Sequence, residues 1–268
     1  MATSDSEDNG YRRRAQFYRV EFCETRDIEF YLANIQENKT EVLEIPCGAG
    51  RLTAELARRA KHVTAVDIEP HMLESLQNHL NAIGLNEKVS CLLGDMTKIQ
   101  LGPIFDLIIV PSEALQLVPK TVGKTVLACL TKNLKPGGLL IVDTATFNCR
   151  TAGDPDYFDP ATIGATWINQ WTRPLPGAGT LNRSVRTLKD HEKVVFEFLY
   201  KLSEDGSVSE QQFTETMTLY LYEQQWFLEN IPPEISEISV RPYYDEKHDL
   251  SQPSRLIVSL RKCEGRPT

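Results

Sequence analysis

The chain predicts an α/β fold: a mostly parallel central sheet preceded by a helical segment, with a second, antiparallel sheet inserted late in the sequence. Three observations carry this. Between Glu41 and Asp143 short apolar runs alternate with amphipathic stretches, the signature of repeated strand-helix units. A glycine turn, Pro46-Cys47-Gly48-Ala49-Gly50, sits between the first apolar run and the first of those amphipathic stretches. After Asp143 the texture changes to a period of two, with Val194, Phe196, Phe198, Tyr200 and Leu202 alternating with their neighbours. At 268 residues the chain is long enough for one large domain with a sizeable insertion.

In order, residues 1–10 are polar and acidic and are expected to be a disordered tail. Residues 11–40 form a helical cap, with Tyr11, Ala15, Tyr18 and Phe22 at helical spacing. The core, 41–144, places strands at 41–45, 63–67, 89–93, 105–110 and 138–143 and helices at 51–60 and 71–83. The second helix ends at Gly84 as a left-handed cap would, and buries a stripe of Leu73, Leu76, Leu80 and Ile83. Residues 145–221 are the inserted antiparallel sheet or lid. Its hairpin turn is Ser203-Glu204-Asp205-Gly206-Ser207 and its returning strand runs from Gln212 to Leu221. Residues 222–268 complete the core with a helix from Tyr222 to Ile231. Two last strands, Ile235–Tyr243 and Ser254–Lys262, close the sheet as an antiparallel pair.

The totals exclude several classes. A net charge of −8 and a pI near 5.3 argue against a general nucleic-acid surface. Arg12-Arg13-Arg14 is the only dense basic cluster, either a solvated helix start or a group that closes over a cofactor or steers an anionic acceptor. Cysteines 23, 47, 91, 129, 149 and 263 lack zinc spacing and suit reduced thiols. Met1–Gly10 has no apolar segment of signal-peptide type, and no stretch approaches the length that spans a bilayer. A soluble, cytoplasmic protein with no membrane partner is expected. The five histidines show neither metal spacing nor pairing with a nucleophile, so no metal is implied.

The turn and the carboxylate after the second apolar run point to a nucleoside-bearing cofactor. Glycines let the backbone approach the ligand, and Asp67 can accept hydrogen bonds from both ribose hydroxyls. A dinucleotide site usually has a third glycine where this chain has Thr53. Glu44 would repel a pyrophosphate and suits a cofactor with a cationic amino-acid end. These residues favour S-adenosylmethionine over NAD.

Glu44-Ile45-Pro46-Cys47-Gly48-Ala49-Gly50 resembles the first motif of class I S-adenosylmethionine-dependent methyltransferases, with Pro46 in place of the first glycine. Four further stations follow in the family's order: Val63–Asp67, Leu93–Met96, Phe105–Val110 and Leu134–Asp143. The resemblance implies a Rossmann-like seven-stranded sheet. The inserted sheet is placed as in small-molecule N-methyltransferases of the amino-sugar and natural-product type. It also implies roles around the cofactor. Glu44, Pro46, Cys47, Gly48 and Gly50 would shape the methionine end, Asp67 would take the ribose, and Ile68 or Met72 would lie against the adenine. Gly94 and Asp95 would meet the adenine amino group, Met96 would cover the ring, and Val110 and Pro111 would border the methyl. Met72 as core filler and Asp95 as a turn residue are the plain alternatives. Asp106 is read as structural.

The fourth strand ends in Val110-Pro111-Ser112-Glu113-Ala114-Leu115-Gln116-Leu117. It lacks the Asn-Pro-Pro-Tyr type of signature that grips a flipped adenine, and Leu117 stands where many related small-molecule enzymes have a histidine. Glu113 is the ionisable group expected nearest the transfer point, either binding a cationic amine, acting as a base or standing in an exposed loop. Tyr11 and Tyr18 would close over the cofactor or pack plainly, with Tyr11 a candidate catalytic group. Tyr157, Trp167 and Trp171 would line an acceptor pocket or belong to the core of the insert. The expected activity is methyl transfer to a small molecule, most simply an amine, in natural-product or sugar tailoring. An O-methyltransferase, a peptide methyltransferase and a non-catalytic cofactor-binding partner are the alternatives. An exposed edge of the inserted sheet would favour a homodimer.

Overall fold

The computed structural model of the chain describes residues 14–23, 25–147, 164, 166–175, 179–203, 210–244 and 255–264. The tail, Tyr11, Tyr157 and most of the hairpin turn after Ser203 lie outside the described residues. Two short helices, α1 (Tyr18–Glu21) and α2 (Ile28–Leu32), precede the core among the described residues. The core follows as β1 (Glu41–Glu44), α3 (Thr53–Arg59), β2 (His62–Asp67), α4 (Pro70–Ile83), β3 (Val89–Leu93), β4 (Phe105–Val110), α5 (Lys120–Asn133) and β5 (Leu134–Ala145). The insert contributes β6 (Ile168–Pro174), β7 (Thr180–Lys189), β8 (Lys193–Ser203) and β9 (Glu210–Tyr220). The chain returns to the core with α6 (Gln224–Glu229), β10 (Ile235–Arg241) and β11 (Arg255–Lys262).

The core sheet has seven strands in the order β10-β11-β5-β4-β1-β2-β3. The five strands β1–β5 run parallel, and β11 pairs antiparallel with both β5 and β10. Alternate residues of each central strand face opposite layers, as the period of a strand requires. Leu43, Ile108, Val110, Leu140 and Val142 pack with Val126, Leu127 and Leu130 of α5. Val42, Leu107, Ile109, Ile141 and Ile257 pack with Leu56 of α3 and Leu76 and Leu80 of α4. Both faces are covered, which is why these strands read as continuous apolar runs.

α4 is capped at both ends. Glu69 accepts a bond from the His71 backbone N–H at 3.2 Å, and Gly84 closes the helix at φ 71°. Its buried stripe is Met72, Leu76 and Leu80. Leu73 is only partly buried and Ile83 is 37% exposed, so the expected stripe is rotated by one residue towards Met72. β5 begins four residues earlier than the expected strand because α5 runs straight into it.

The insert is a four-stranded antiparallel meander, β6-β7-β8-β9. Phe198 and Tyr200 of β8 are buried in its own small core with Leu181 and Val185, and Val194 of the same strand is also buried. Phe17 of the N-terminal segment packs on that core, so cap and insert are one structural unit above the sheet.

Candidate functional site

In an open parallel sheet, ligands bind beyond the carboxyl ends of the strands where the strand order reverses. Here β1 has β4 on one side and β2 on the other, so the reversal lies between β1 and β4. A cavity of about 480 Å3 opens there. Its floor comes from the ends of the core strands: Glu44 to Gly48 after β1, Asp67 to Glu69 after β2, Gly94 to Met96 after β3 and Pro111 to Ala114 after β4. Arg14, Tyr18 and Phe22 form one wall, and Thr216 to Leu219 of β9 form another.

The turn after β1 is built by backbone demands. Gly48 and Gly50 have φ of 53° and 86°, where a side chain is strained. A methyl at Gly50 would lie 2.2 Å from Leu76 Cδ1, so this glycine lets α4 pack close. A methyl at Gly48 would lie 2.8 Å from the Tyr18 ring. Gly48 N–H donates to Asp67 Oδ2 at 2.8 Å and Glu69 N–H to Oδ1 at 2.9 Å, which fixes the carboxylate at the cavity edge. Burial raises the Asp67 carboxyl above the ordinary carboxylate value, against the pull of those N–H groups.

Glu44 is 1% exposed and accepts a bond from Thr53 Oγ1 at 2.6 Å. Burial pushes its carboxyl up to about 8, with Thr53 and Arg51 opposing. Arg51 forms a two-pronged pair with Asp27 at 2.6 and 2.5 Å and reaches Ser112 Oγ at 3.4 Å. At the opposite end Ile68 is 68% exposed at the rim, an apolar surface in the position that would face a flat ring. Asp95 lines the cavity while its Oδ1 accepts from Thr97 N and Oγ1 at 2.8 and 2.7 Å; those Thr97 bonds lower its carboxyl. It is therefore both a turn residue and a cavity residue.

The cavity brings together Tyr18, Glu44, Pro46, Cys47, Gly48, Asp67, Ile68, Met72, Gly94, Asp95, Met96, Pro111 and Glu113. Gly50 and Val110 are buried behind the lining. Trp167 and Trp171 do not line this cavity, and Trp171 packs against the small core of the insert, the other of the two expected places. They stand just before and on β6, the strand of the insert farthest from β9, and three strand spacings are about 14 Å. Trp171 instead lies between Arg173 and Arg183, with guanidinium carbons 4.5 and 4.8 Å from its ring centre. Trp167 faces Arg186 at 4.9 Å.

Sequence reasoning did not find the residues that hold the walls. Glu21 is buried and gathers Arg14 (2.8 Å), Arg183 (2.5 Å) and the Tyr200 hydroxyl (2.7 Å). Arg173 donates to the carbonyls of Val20 and Glu21 at 2.6 Å each. Gln116, also buried, donates to the carbonyls of Ala145 and Tyr220 at 3.0 and 2.9 Å and accepts from Ala145 N–H at 2.6 Å. It ties the loop after β4 to both β5 and the insert. These partners are distant in sequence and leave no local signal. Among the described residues, no group of His, Cys, Asp and Glu could hold a metal ion.

A family model described as a methyltransferase domain matches residues 42–138, the stretch that supplies the cavity floor. That stretch is similar to methyltransferase domains. The chain is 41% identical over 68 residues to a protein named probable dimethyladenosine transferase from Drosophila melanogaster, covering 25% of this chain and 22% of that protein. The chain thus spans about a fifth of that relative's length. An S-adenosylmethionine-dependent methyltransferase from Clostridium acetobutylicum superposes with a TM-score of 0.72 at 17% identity, covering 96% of this chain and 100% of that one. The sugar N-methyltransferase KedS8 from Streptoalloteichus gives 0.71 at 17% identity, covering 98% and 97%. At these identities the likeness is one of fold, and it extends over the inserted sheet as well as the methyltransferase domain.

Proposed function

We propose that the protein transfers a methyl group from S-adenosylmethionine to a small-molecule amine, in natural-product or amino-sugar tailoring. The observation that carries the reading is the cavity at the β1/β4 reversal, with donor-type residues on its floor and walls from cap and insert. The residues present fit the donor. Glu44 and Arg51 would face the amino-acid end, Asp67 the ribose, and Ile68, Met72, Asp95 and Met96 the adenine. When bound, S-adenosylmethionine supplies an electrophilic methyl on a sulfonium.

The chain's own part is placement and exclusion of water. Glu113 stands at the end of β4 and accepts hydrogen bonds from the acceptor amine, orienting its nitrogen. Pro111, Ala114, Leu117 and Leu219 give that end apolar walls. An amine attacks only after losing its ammonium proton, so the rate rises with pH through the acceptor's own pKa. With Leu117 in place of a histidine, no strong base is provided for a hydroxyl. The likeness in fold to a sugar N-methyltransferase supports the same acceptor class. The roof of cap and insert suits a small acceptor better than a nucleic-acid strand.

Calorimetric titration with S-adenosylhomocysteine tests the donor site, with Asp67→Ala and NAD as controls. Micromolar binding, weakened about 100-fold in the variant by loss of two charge-assisted hydrogen bonds, is expected. A folded protein that binds no S-adenosylhomocysteine refutes the reading. Methyl transfer from S-adenosylmethionine to a panel of amino sugars and small amines, against matched alcohols, then tests the acceptor class.

A further inference from the structure

One edge of the inserted sheet runs into the cavity. The order β6-β7-β8-β9 makes β6 and β9 the two edge strands, and they are built differently. β6 carries Pro174, and its register with β7 shifts between Asn169 and Trp171; both features discourage a further strand. β9 has no proline and keeps an unbroken register with β8 from Glu210 to Tyr220. Successive side chains of a strand point to opposite faces, yet four consecutive residues of β9, Thr216 to Leu219, line the cavity. Such a run meets the cavity with its backbone edge rather than with one face.

Leu221 N–H donates to the Glu192 carbonyl at 2.8 Å, one step beyond the Lys193–Tyr220 pair. Bonded and non-bonded pairs alternate along an antiparallel ladder, so Val194–Leu219 and Phe196–Met217 are bonded pairs. Tyr220, Thr218 and Thr216 therefore turn their N–H and C=O away from β8. The Tyr220 carbonyl accordingly accepts from Gln116 Nε2 at 2.9 Å, which pins this end of β9 to the turn Ala114–Leu117 beside the end of β4. Among the described residues no bond of that kind reaches Thr218 or Thr216. Further out along the same edge, Thr214 is exposed. The edge thus leads from the methyl-transfer end to solvent, offering an N–H and a C=O about every 7 Å.

We propose that the acceptor is an amine that continues into amides, a short peptide with a free amino terminus, and that it pairs with Thr218 and Thr216 as a fifth strand of the insert. Its amine lies towards the end of β4 and its chain leaves past Thr214. A peptide main chain repeats one N–H and one C=O per side at the interval of the edge, which an amino sugar does not. Gln116 closes the edge at Tyr220, so a chain end fits there and the middle of a second copy's strand does not. The inference rests on the donor-site reading above and narrows its acceptor. In the transfer the amine lone pair forms the N–C bond as the S–C bond breaks, S-adenosylhomocysteine leaves and one proton passes to water.

Methyl transfer to tri-alanine amide, propylamine and glucosamine tests this, with calorimetry of S-adenosylhomocysteine reporting whether the donor site is intact. The tripeptide amide is expected to have kcat/KM at least about tenfold above the other two. Two analogues each replace one of its two internal amides by an ester. Alternate amides of an extended chain point to opposite sides, so one ester should lose about tenfold and the other about threefold or less. Thr218→Pro removes an outward N–H without touching the ladder and should lower kcat/KM for the tripeptide amide by about tenfold. The esters need no variant, so a Thr218→Pro chain that fails to fold leaves them to decide. Equal effects of the two esters, or full tripeptide activity in folded Thr218→Pro, overturn the proposal. Preference for glucosamine over the tripeptide overturns it while the amine reading stands. A dimer in sedimentation that Thr218→Pro dissociates gives the edge to a second copy and overturns it too. Failure of S-adenosylhomocysteine to bind the folded wild type instead removes the donor-site reading and this inference with it.

Discussion

Replacing Glu44 by glutamine should stabilise the protein, and by an amount that depends on pH. In the folded chain the carboxyl is enclosed and pushed up to about 8, whereas in the unfolded chain it ionises near 4.5. Between those values the folded state holds a proton that the unfolded state releases, so stability falls as pH rises. Each pH unit costs up to about 1.36 kcal/mol, which gives about 3 kcal/mol at pH 7 relative to pH 4.5 and about 4 kcal/mol at pH 8. Glutamine is neutral at every pH, and its amide oxygen can still accept the bond from Thr53 Oγ1 that Glu44 accepts at 2.6 Å. Urea unfolding of both proteins at pH 5, 7 and 8 reads the difference directly. The expected gap is within about 1 kcal/mol at pH 5 and widens to about 3 kcal/mol in favour of the variant at pH 7. A gap that does not change with pH, or a variant less stable than the wild type at pH 8, would refute the buried neutral carboxyl.

Three other outcomes follow from the same geometry. Binding of S-adenosylhomocysteine at pH 7 should release close to one proton, as its ammonium draws Glu44 into the charged form; calorimetry in two buffers of different ionisation heat measures it, and Glu44→Gln should release none. Glu21→Gln leaves Arg14 and Arg183 short of their carboxylate at a cost of about 3 kcal/mol and should expose the N-terminal segment to trypsin at Arg19. Burial alone would raise the Glu21 carboxyl, but the two arginines outweigh it and hold it below the ordinary value. Its contribution is therefore present above about pH 4.5 and lost as pH falls through the lowered value, so acid should release the same segment. Gln116→Leu unpairs the Ala145 N–H and two carbonyls and should lower stability by about 3 kcal/mol in thermal or urea unfolding, while a surface control such as Gln225→Leu should change it little.

The sheet was legible in the sequence because its determinants are local. Val42–Glu44, Val63–Asp67 and Phe105–Val110 are apolar runs whose two faces are both covered; β11 shows much of that texture, while the edge strand β10 is marked only by alternation. The floor of the cavity was legible for a related reason: parallel strands place their following turns side by side, so Gly48, Asp67 and Asp95 meet by topology alone. The walls were not. Whether β6 or β9 faces the cavity depends on the order of a meander, and either strand carries suitable side chains; Trp171 looked like a pocket aromatic and is a partner for two arginines. Asp143 was visible only as the end of a motif and Arg255 not at all, because their pairing is set by register across 112 residues. Met72 and Asp95 each line the cavity while also packing or turning the chain.

The Glu21 cluster also bears on when the cavity can exist. Its partners on the insert lie 162 and 179 residues further along, and the carbonyls that Arg173 grips lie 152 and 153 residues before it. A segment made well before the insert thus finds its seat only after β7 and β8 have paired. Long-range contacts of this kind form late, because loop closure must precede the gain they bring. The core sheet can assemble around β1–β5 beforehand, but the wall bearing Arg14 and Tyr18 cannot. Ligand capture is thereby reserved for a chain whose insert has folded, and a nascent or truncated chain ending before β8 would have the floor of the site without its wall.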